Sequence, residues 1–265
     1  MKKDVALVLS SGGPRGFAFI GAIEELLSQG FRITSVAGTS AGALVGGIYA
    51  AGGLNAFKEW LFGLDPLKVV TLMDPAFSRS GLMKGERVIE AIKKRVPDVL
   101  IESLPIPFTA ISTDLCTGEE VIFEKGPLFD AIRASISIPS MFQPVSFGGR
   151  TLIDGGVSNT FPLNRVRRNG RDILIGFDVN ETDKAIAPDE NKMVGILDRS
   201  FSLMNRTIAR QQIALTPPDI LIEMPFDSFS SIADYGHARE IVAAGAALTA
   251  AALDLEMKRN PTIFV

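Results

Sequence analysis

"LVLSSGGPRGFAFIGAIEEL", residues 7–26, runs from an apolar stretch through a glycine-containing turn into a segment with helical periodicity. Phe17, Ile20, Ile23 and Leu27 fall along one side of a helix over 17–29 that Gly30 would stop, and residues 4–10 read as a buried strand. A second strand follows at 32–38, and "SAGALVGGIYAAGG", residues 40–53, reads as a helix of small residues that can approach a sheet closely. Strand, helix, strand, helix in quick succession calls for parallel pairing through right-handed crossovers, which sets the fold class as α/β.

The turn poses a chemical question as well. Backbone N–H groups gathered at a helix N-terminus attract an anion, which can be a cofactor's phosphate or a short-lived oxyanion. A dinucleotide site would want G-x-G-x-x-G and an acid closing strand two, and a P-loop would want Gly-Lys-Ser/Thr after the turn. The sequence offers Ser11, Gly12, Gly13, Pro14, Arg15, Gly16 and Phe17, and strand two closes on Gly38, Thr39, Ser40, Ala41 and Gly42. Neither phosphate pattern is met. What strand two supplies is G-x-S-x-G at a strand-to-helix junction, where flanking glycines permit a sharp elbow that presents the Ser40 hydroxyl as a nucleophile.

A serine nucleophile needs a base. The single histidine, His237, would complete the order serine, acid, histidine. Asp154, at the end of a strand where Gly155 and Gly156 let the backbone turn beside the carboxylate, is the second candidate and could take the serine proton directly.

Further along, 54–83 is apolar, broken by Pro66 and Pro75, and without a clean period, so it reads as an inserted cap or lid. Phe57, Trp60, Phe62, Leu64, Leu72, Met73 and Phe77 within it would line an acyl-chain pocket or pack as core. A helix is expected near 84–95, strands at 107–114 and 119–124, a helix at 127–135, and a strand ending in "TLIDGG". The buried strand "ILIGFDV" (173–179) leads into a charged loop over 181–192. A helix over 192–214 carries Leu197, Phe201, Met204 and Ile208 as an expected core stripe, "DILIEM" (219–224) is the last strand, and 236–258 the last helix. No linker divides 1–265, which reads as one domain.

Composition narrows the partners. With 27 basic against 30 acidic residues and a net charge of -3, the chain lacks the basic field that nucleic-acid binding requires. Cys116, the only cysteine, excludes an internal disulfide and a thiolate-rich metal site and reads as a buried structural thiol. No cluster has metal-ligand spacing, so neither metal nor cofactor is expected. The start, "MKKDVALVLSSGG", mimics a secretory signal, but Asp4 interrupts it and the apolar run is short. No uncharged stretch approaches the roughly 20 residues that cross a bilayer. A cytoplasmic protein with at most peripheral membrane contact is expected; the oligomeric state is not legible.

Taken together, SGGPRG (11–16), GTSAG (38–42) and DGG (154–156), with "ASISIPSMFQPV" (134–145), resemble the patatin-like phospholipase family of serine lipid acyl hydrolases. The resemblance covers 1–180 closely and the last 85 residues in general layout only. It implies a three-layer α/β/α sandwich with a mainly parallel central sheet and a Ser-Asp dyad without histidine. Ser40 would be acylated, Asp154 would act as general base and then general acid, and a lipid or acyl ester would be the substrate. The turn would hold the oxyanion. Because Pro14 has no N–H, the donors would be Gly12, Gly13 and Arg15, with Ser11 standing where the family usually has glycine. Gly16, Gly38, Gly42, Gly155 and Gly156 are the remaining motif positions. An aspartate with the ordinary pKa of about 3.9 is a feeble base, so the site should desolvate it. A Ser-His-Asp carboxylesterase and a catalytically silent lipid-binding regulator are the competing readings. Asp114 and Asp178, at strand ends, are expected to stabilise turns. Arg165, Arg167, Arg168 and Arg171 are expected to complement a helix C-terminus on a solvated face, or to meet anionic headgroups.

Overall fold

The structure is a computed structural model that describes residues 3–64, 68, 71–72, 83–180, 193–225 and 234–264. In chain order the strands are β1 (Asp4–Leu9), β2 (Arg32–Thr39), β3 (Phe108–Asp114), β4 (Glu120–Phe123), β5 (Val145–Phe147), β6 (Arg150–Asp154), β7 (Ile173–Asp178) and β8 (Ile220–Glu223). The helices are α1 (Ala18–Ser28), α2 (Ala41–Ala50), α3 (Leu54–Phe62), α4 (Glu86–Lys93), α5 (Leu128–Ser135), α6 (Met193–Leu215) and α7 (Ala238–Arg259).

β1 is the sheet's spine, pairing in parallel with β2 on one side and β7 on the other. Val5, Leu7 and Leu9 enter one hydrophobic cluster, and Ala6 and Val8 enter another. A strand buried on both faces is apolar at every position, which is why "VALVL" shows no alternation. The larger cluster joins that face to α1, α2, α5 and α7; the smaller joins the opposite face to Phe161, Leu163 and Ala209 of α6. The result is an α/β/α sandwich in which β3, β2, β1, β7 and β8 are mutually parallel. α7 reaches α1 at backbone distance: a Cβ on Gly245 would stand 1.9 Å from the Ala18 carbonyl oxygen, which accounts for the small residues of the last helix.

The other end of the sheet places the site. β3 carries β4 on one edge, and on the other edge it carries β2 and then β6. Backbone polar groups alternate edges along a strand. The Pro107 carbonyl accepts from Val36 of β2 and the Leu115 N–H donates to Thr151 of β6, an even separation, whereas the Asp114 N–H donates to Glu119 on the β4 side. Pairing with β2 ends at Thr39 opposite Ile111, and antiparallel pairing with β6 begins at Asp154 opposite Ser112. The end of β6 therefore abuts the end of β2, and Asp154 meets Ser40.

The helix expected over 17–29 is α1, with a 3₁₀ turn, Gly13–Phe17, ahead of it. The strand expected to end in TLIDGG is β6, and it forms a hairpin with β5, a strand not expected from the sequence. Other expectations need correction. The start of 54–83 is an ordinary helix, α3, with Leu54, Phe57 and Leu61 buried; most of 65–82 and the charged loop 181–192 lie outside the described residues. The core stripe on α6 is only partly buried, with Leu197 40% and Met204 49% exposed. Phe161 and Leu163 already fill that sheet face, so α6 reaches it only near Ala209 and Ile213. Cys116 is exposed, because it sits in the β3–β4 turn and not on a strand.

Candidate active site

Ser40 occupies the elbow between β2 and α2 with φ 54 and ψ -117, a backbone region that L-residues avoid. Such strain costs about 1–3 kcal/mol and persists where surrounding contacts enforce it. Here they do. A Cβ on Gly38 would stand 2.3 Å from the Gly42 carbonyl carbon, and one on Gly42 would stand 2.2 Å from the Leu9 carbonyl oxygen, so the elbow folds only with both glycines. The Ser40 N–H donates to Ser135 Oγ at 2.8 Å, and that hydroxyl donates to the Ile111 carbonyl at 2.5 Å, at the point where β3 changes partner. Ser135 was not identified as a site residue from the sequence; it stands in the "ASISIPSMFQPV" stretch, whose resemblance to the family was the available signal.

The Ser40 hydroxyl donates to Asp154 Oδ2 at 2.6 Å, and the Gly156 N–H donates to Asp154 Oδ1 at 2.7 Å. Asp154 itself is held by its N–H, which donates to the Ser137 carbonyl at 2.9 Å. Gly155 must lack a side chain because its Cβ would lie 2.3 Å from the Ile111 carbonyl oxygen. Burial pushes the Asp154 carboxyl up from 3.8 to about 6, against the opposing pull of the hydrogen bonds from Ser40 and Gly156. The environment thus makes the aspartate a better base than it is in water.

The glycine turn lies beside this pair. A Cβ on Gly16 would stand 2.4 Å from Ala41 Cβ and one on Gly12 would stand 2.0 Å from Val179 Cγ2, so the turn is pressed between the elbow and the end of β7. Gly13 has φ 55. The Ser11 N–H donates to the Thr160 carbonyl at 2.9 Å, and Asn180 Nδ2 donates to the Ser11 carbonyl at 2.7 Å. The Arg15 side chain is buried.

Two cavities meet at Ser40, sharing Gly13, Pro14 and Ile138. One is apolar, runs between α2, α3 and α4 past Leu44, Phe57, Trp60, Leu61, Val88 and Ile92, and holds about 900 Å³ including its mouth. The other holds about 760 Å³ on the same basis and is lined by Ser11, Arg15, Asp154, Asn180 and Asn205 among others. Trp60, Leu64 and Leu72 from the expected cap segment line the apolar cavity, while Phe62 packs against the core; Met73 and Phe77 lie outside the described residues.

The remaining candidates lie elsewhere. His237 stands at the N-terminus of α7, 2.9 Å from Glu240 Oε2, and lines neither cavity. Asp114 accepts the Cys116 N–H at 2.9 Å and Asp178 accepts the Asn180 N–H at 3.0 Å, each closing a turn. Arg165 pairs with Glu120 and Arg168 with Asp172; the segment bearing them is irregular, so these arginines complement no helix end. Among the described residues no group of three or more His, Cys, Asp or Glu could hold a metal ion, and no helix is long and apolar enough to cross a membrane.

Fold and site together define a class, an α/β protein that presents a serine at a strand-to-helix elbow beside a buried carboxylate. The sequence profile described as patatin-like phospholipase matches residues 7–166. An uncharacterized NTE family protein of Mycobacterium tuberculosis is 33% identical, over 94% of this chain and 91% of its own length. A patatin-like phospholipase domain-containing protein of Caenorhabditis elegans is 33% identical over 68% of this chain, which is 14% of that protein. Among solved structures, VipD from Legionella pneumophila superposes with a TM-score of 0.52 at 15% identity, over 96% of this chain and 67% of that one, a likeness of fold. The chain belongs to the patatin-like phospholipase family, and membership supports lipid hydrolase activity.

Proposed function

We propose that the protein is a serine lipid acyl hydrolase that cleaves fatty-acyl esters through an acyl-enzyme on Ser40, with Asp154 as its only proton carrier. The observation that carries this reading is the 2.6 Å hydrogen bond from Ser40 Oγ to a buried Asp154, at the point where an apolar and a polar cavity meet. The acyl chain lies in the apolar cavity and the alcohol part of the ester in the polar one. Ser40 Oγ attacks the carbonyl carbon while its proton passes to Asp154. The proton then goes to the departing alkoxide, and water repeats the sequence on the acyl-enzyme.

The oxyanion falls to the turn. In a 3₁₀ helix opening at Gly13, bonds run between residues three apart, so the N–H groups of Gly12 and Gly13 precede the first of them. The Arg15 N–H is in register with the Gly12 carbonyl, which makes Gly12 and Gly13 the primary donors and Arg15 the secondary one. The chain works as one hydrolase domain, with α3 walling the acyl cavity, acting from the cytoplasm on lipid surfaces it touches peripherally.

A Ser-His-Asp esterase would need His237 near Ser40, and its place beside Glu240 outside both cavities argues against it. A fluorophosphonate probe tests the proposal. Labelling of Ser40 that is lost in Ser40→Ala and Asp154→Asn is expected; an unlabelled wild-type protein would leave the silent lipid-binding reading in possession.

A further inference from the structure

The polar cavity holds a feature that the dyad does not use. Over Gly156, on the side where a Cβ would project, three oxygens from three separate elements converge. That Cβ would stand 3.0 Å from Asp154 Oδ1, 3.3 Å from Ser11 Oγ and 3.4 Å from Asn205 Oδ1. Ser11 follows β1, Asp154 ends β6, and Asn205 comes from α6, outside the segment matched by the family profile. All three line the cavity that opens on Ser40.

The hydrogen bonds leave these oxygens with capacity. Thr160 Oγ1 has one hydrogen, and its closer acceptor is the Gly156 carbonyl at 2.8 Å; Asn205 Oδ1 is at 3.3 Å. Asn205 Nδ2 approaches Ser11 Oγ at 3.4 Å, which turns the amide oxygen toward Gly156. Three converging oxygens, one of them a carboxylate's, can accept from the O–H groups of a small hydroxyl-bearing ligand.

Resting on the dyad mechanism above, we infer that Ser11, Asn205 and Asp154 form a hydroxyl-holding subsite that seats the water which releases the acyl group, with Ser11 and Asn205 as positioning residues. The water oxygen bonds to the acyl carbonyl carbon as its proton passes to Asp154. The tetrahedral intermediate then breaks its bond to Ser40 Oγ, which takes that proton back, and the fatty acid departs. Ser11 contributes the second oxygen of the subsite.

Burst kinetics on a p-nitrophenyl acyl ester separate the two half-reactions, because nitrophenolate leaves without needing a proton. The full-length protein is compared with Ser11→Gly and Asn205→Leu, each checked for folding by circular dichroism; Ser11→Gly keeps the test available if the helix substitution misfolds. The expected result is an unchanged burst rate with steady-state turnover about tenfold slower, so that burst amplitude approaches one per Ser40. Equal loss in burst and steady state means a structural role and overturns the inference. Unchanged kinetics in both variants overturns it too and leaves the cavity to the departing alcohol, which added glycerol as acyl acceptor would report. Failure of the dyad is told apart by a wild-type protein that neither labels with fluorophosphonate nor shows a burst.

Discussion

Replacing Asp154 by asparagine should abolish turnover and stabilise the fold. The carboxyl binds its proton with a pKa of about 6 in the folded chain against 3.8 for the ordinary group, because burial disfavours the anion. Between those values the folded protein holds a proton that the unfolded chain has released, so stability falls as pH rises through the window. At 1.36 kcal/mol per pH unit the loss reaches about 3 kcal/mol above pH 6. Asparagine keeps the shape and an acceptor for the Gly156 N–H, and carries no charge to desolvate. The melting temperature of Asp154→Asn minus that of wild type should be near zero at pH 3.5 and grow to about 6–12 °C by pH 7, at roughly 2–4 °C per kcal/mol for a chain of this size. Scanning calorimetry on both proteins in the same buffers cancels the titration of every other carboxylate. The kcat/KM of the wild type should rise about tenfold per pH unit below about 6 and level off above it, since only the anion accepts the serine proton. A melting-temperature difference that stays flat with pH, or a kcat/KM with no limb near 6, would refute the argument that burial creates the base.

Other substitutions probe separate parts of the site. Gly13→Ala places a side chain at φ 55 inside the turn and should lower kcat by roughly 100-fold, the scale of one lost oxyanion donor, while Ser40 still labels slowly. His237→Ala should leave kcat within a few-fold; a loss of several orders of magnitude with intact circular dichroism would return the protein to the triad class. Ser135→Ala removes the acceptor of the Ser40 N–H and the donor to Ile111, both buried, and should cost about 1–3 kcal/mol in urea unfolding together with a lower kcat. Leu44→Trp narrows the apolar cavity and should shift ester preference toward short acyl chains, measured as the ratio of kcat/KM for butyrate and palmitate esters.

The parallel half of the sheet was legible because its determinants are local. "VALVL" is apolar at every position as a doubly covered strand must be, and the glycines around Ser40 announce an elbow before any tertiary contact is known. What escaped depends on distant partners. The hairpin ahead of Asp154 carries exposed and half-buried residues in β5, so no apolar run marked it. The stripe on α6 has a helical period, yet the sheet face beneath is filled by Phe161 and Leu163 from an irregular segment, which periodicity cannot foresee. Ser135, Asn180 and Asn205 each act through side-chain hydrogen bonds or a cavity wall, and a lone serine or asparagine in a chain carries no such mark.

One topological step accounts for the economy of the site. In a serine–histidine–aspartate triad the carboxylate acts on the serine through an imidazole that carries the proton. Here β6 takes over the edge of β3 one residue after β2 leaves it, so the two strand ends share one line and the Asp154 carboxylate reaches Ser40 Oγ directly. The same junction buries the carboxylate, which raises its proton affinity, and forbids a side chain at Gly155, which keeps the Ile111 carbonyl free for Ser135. The Ser40–Asp154 contact on which the proposed mechanism rests, and the support of the elbow, thus follow from one change of partner along β3.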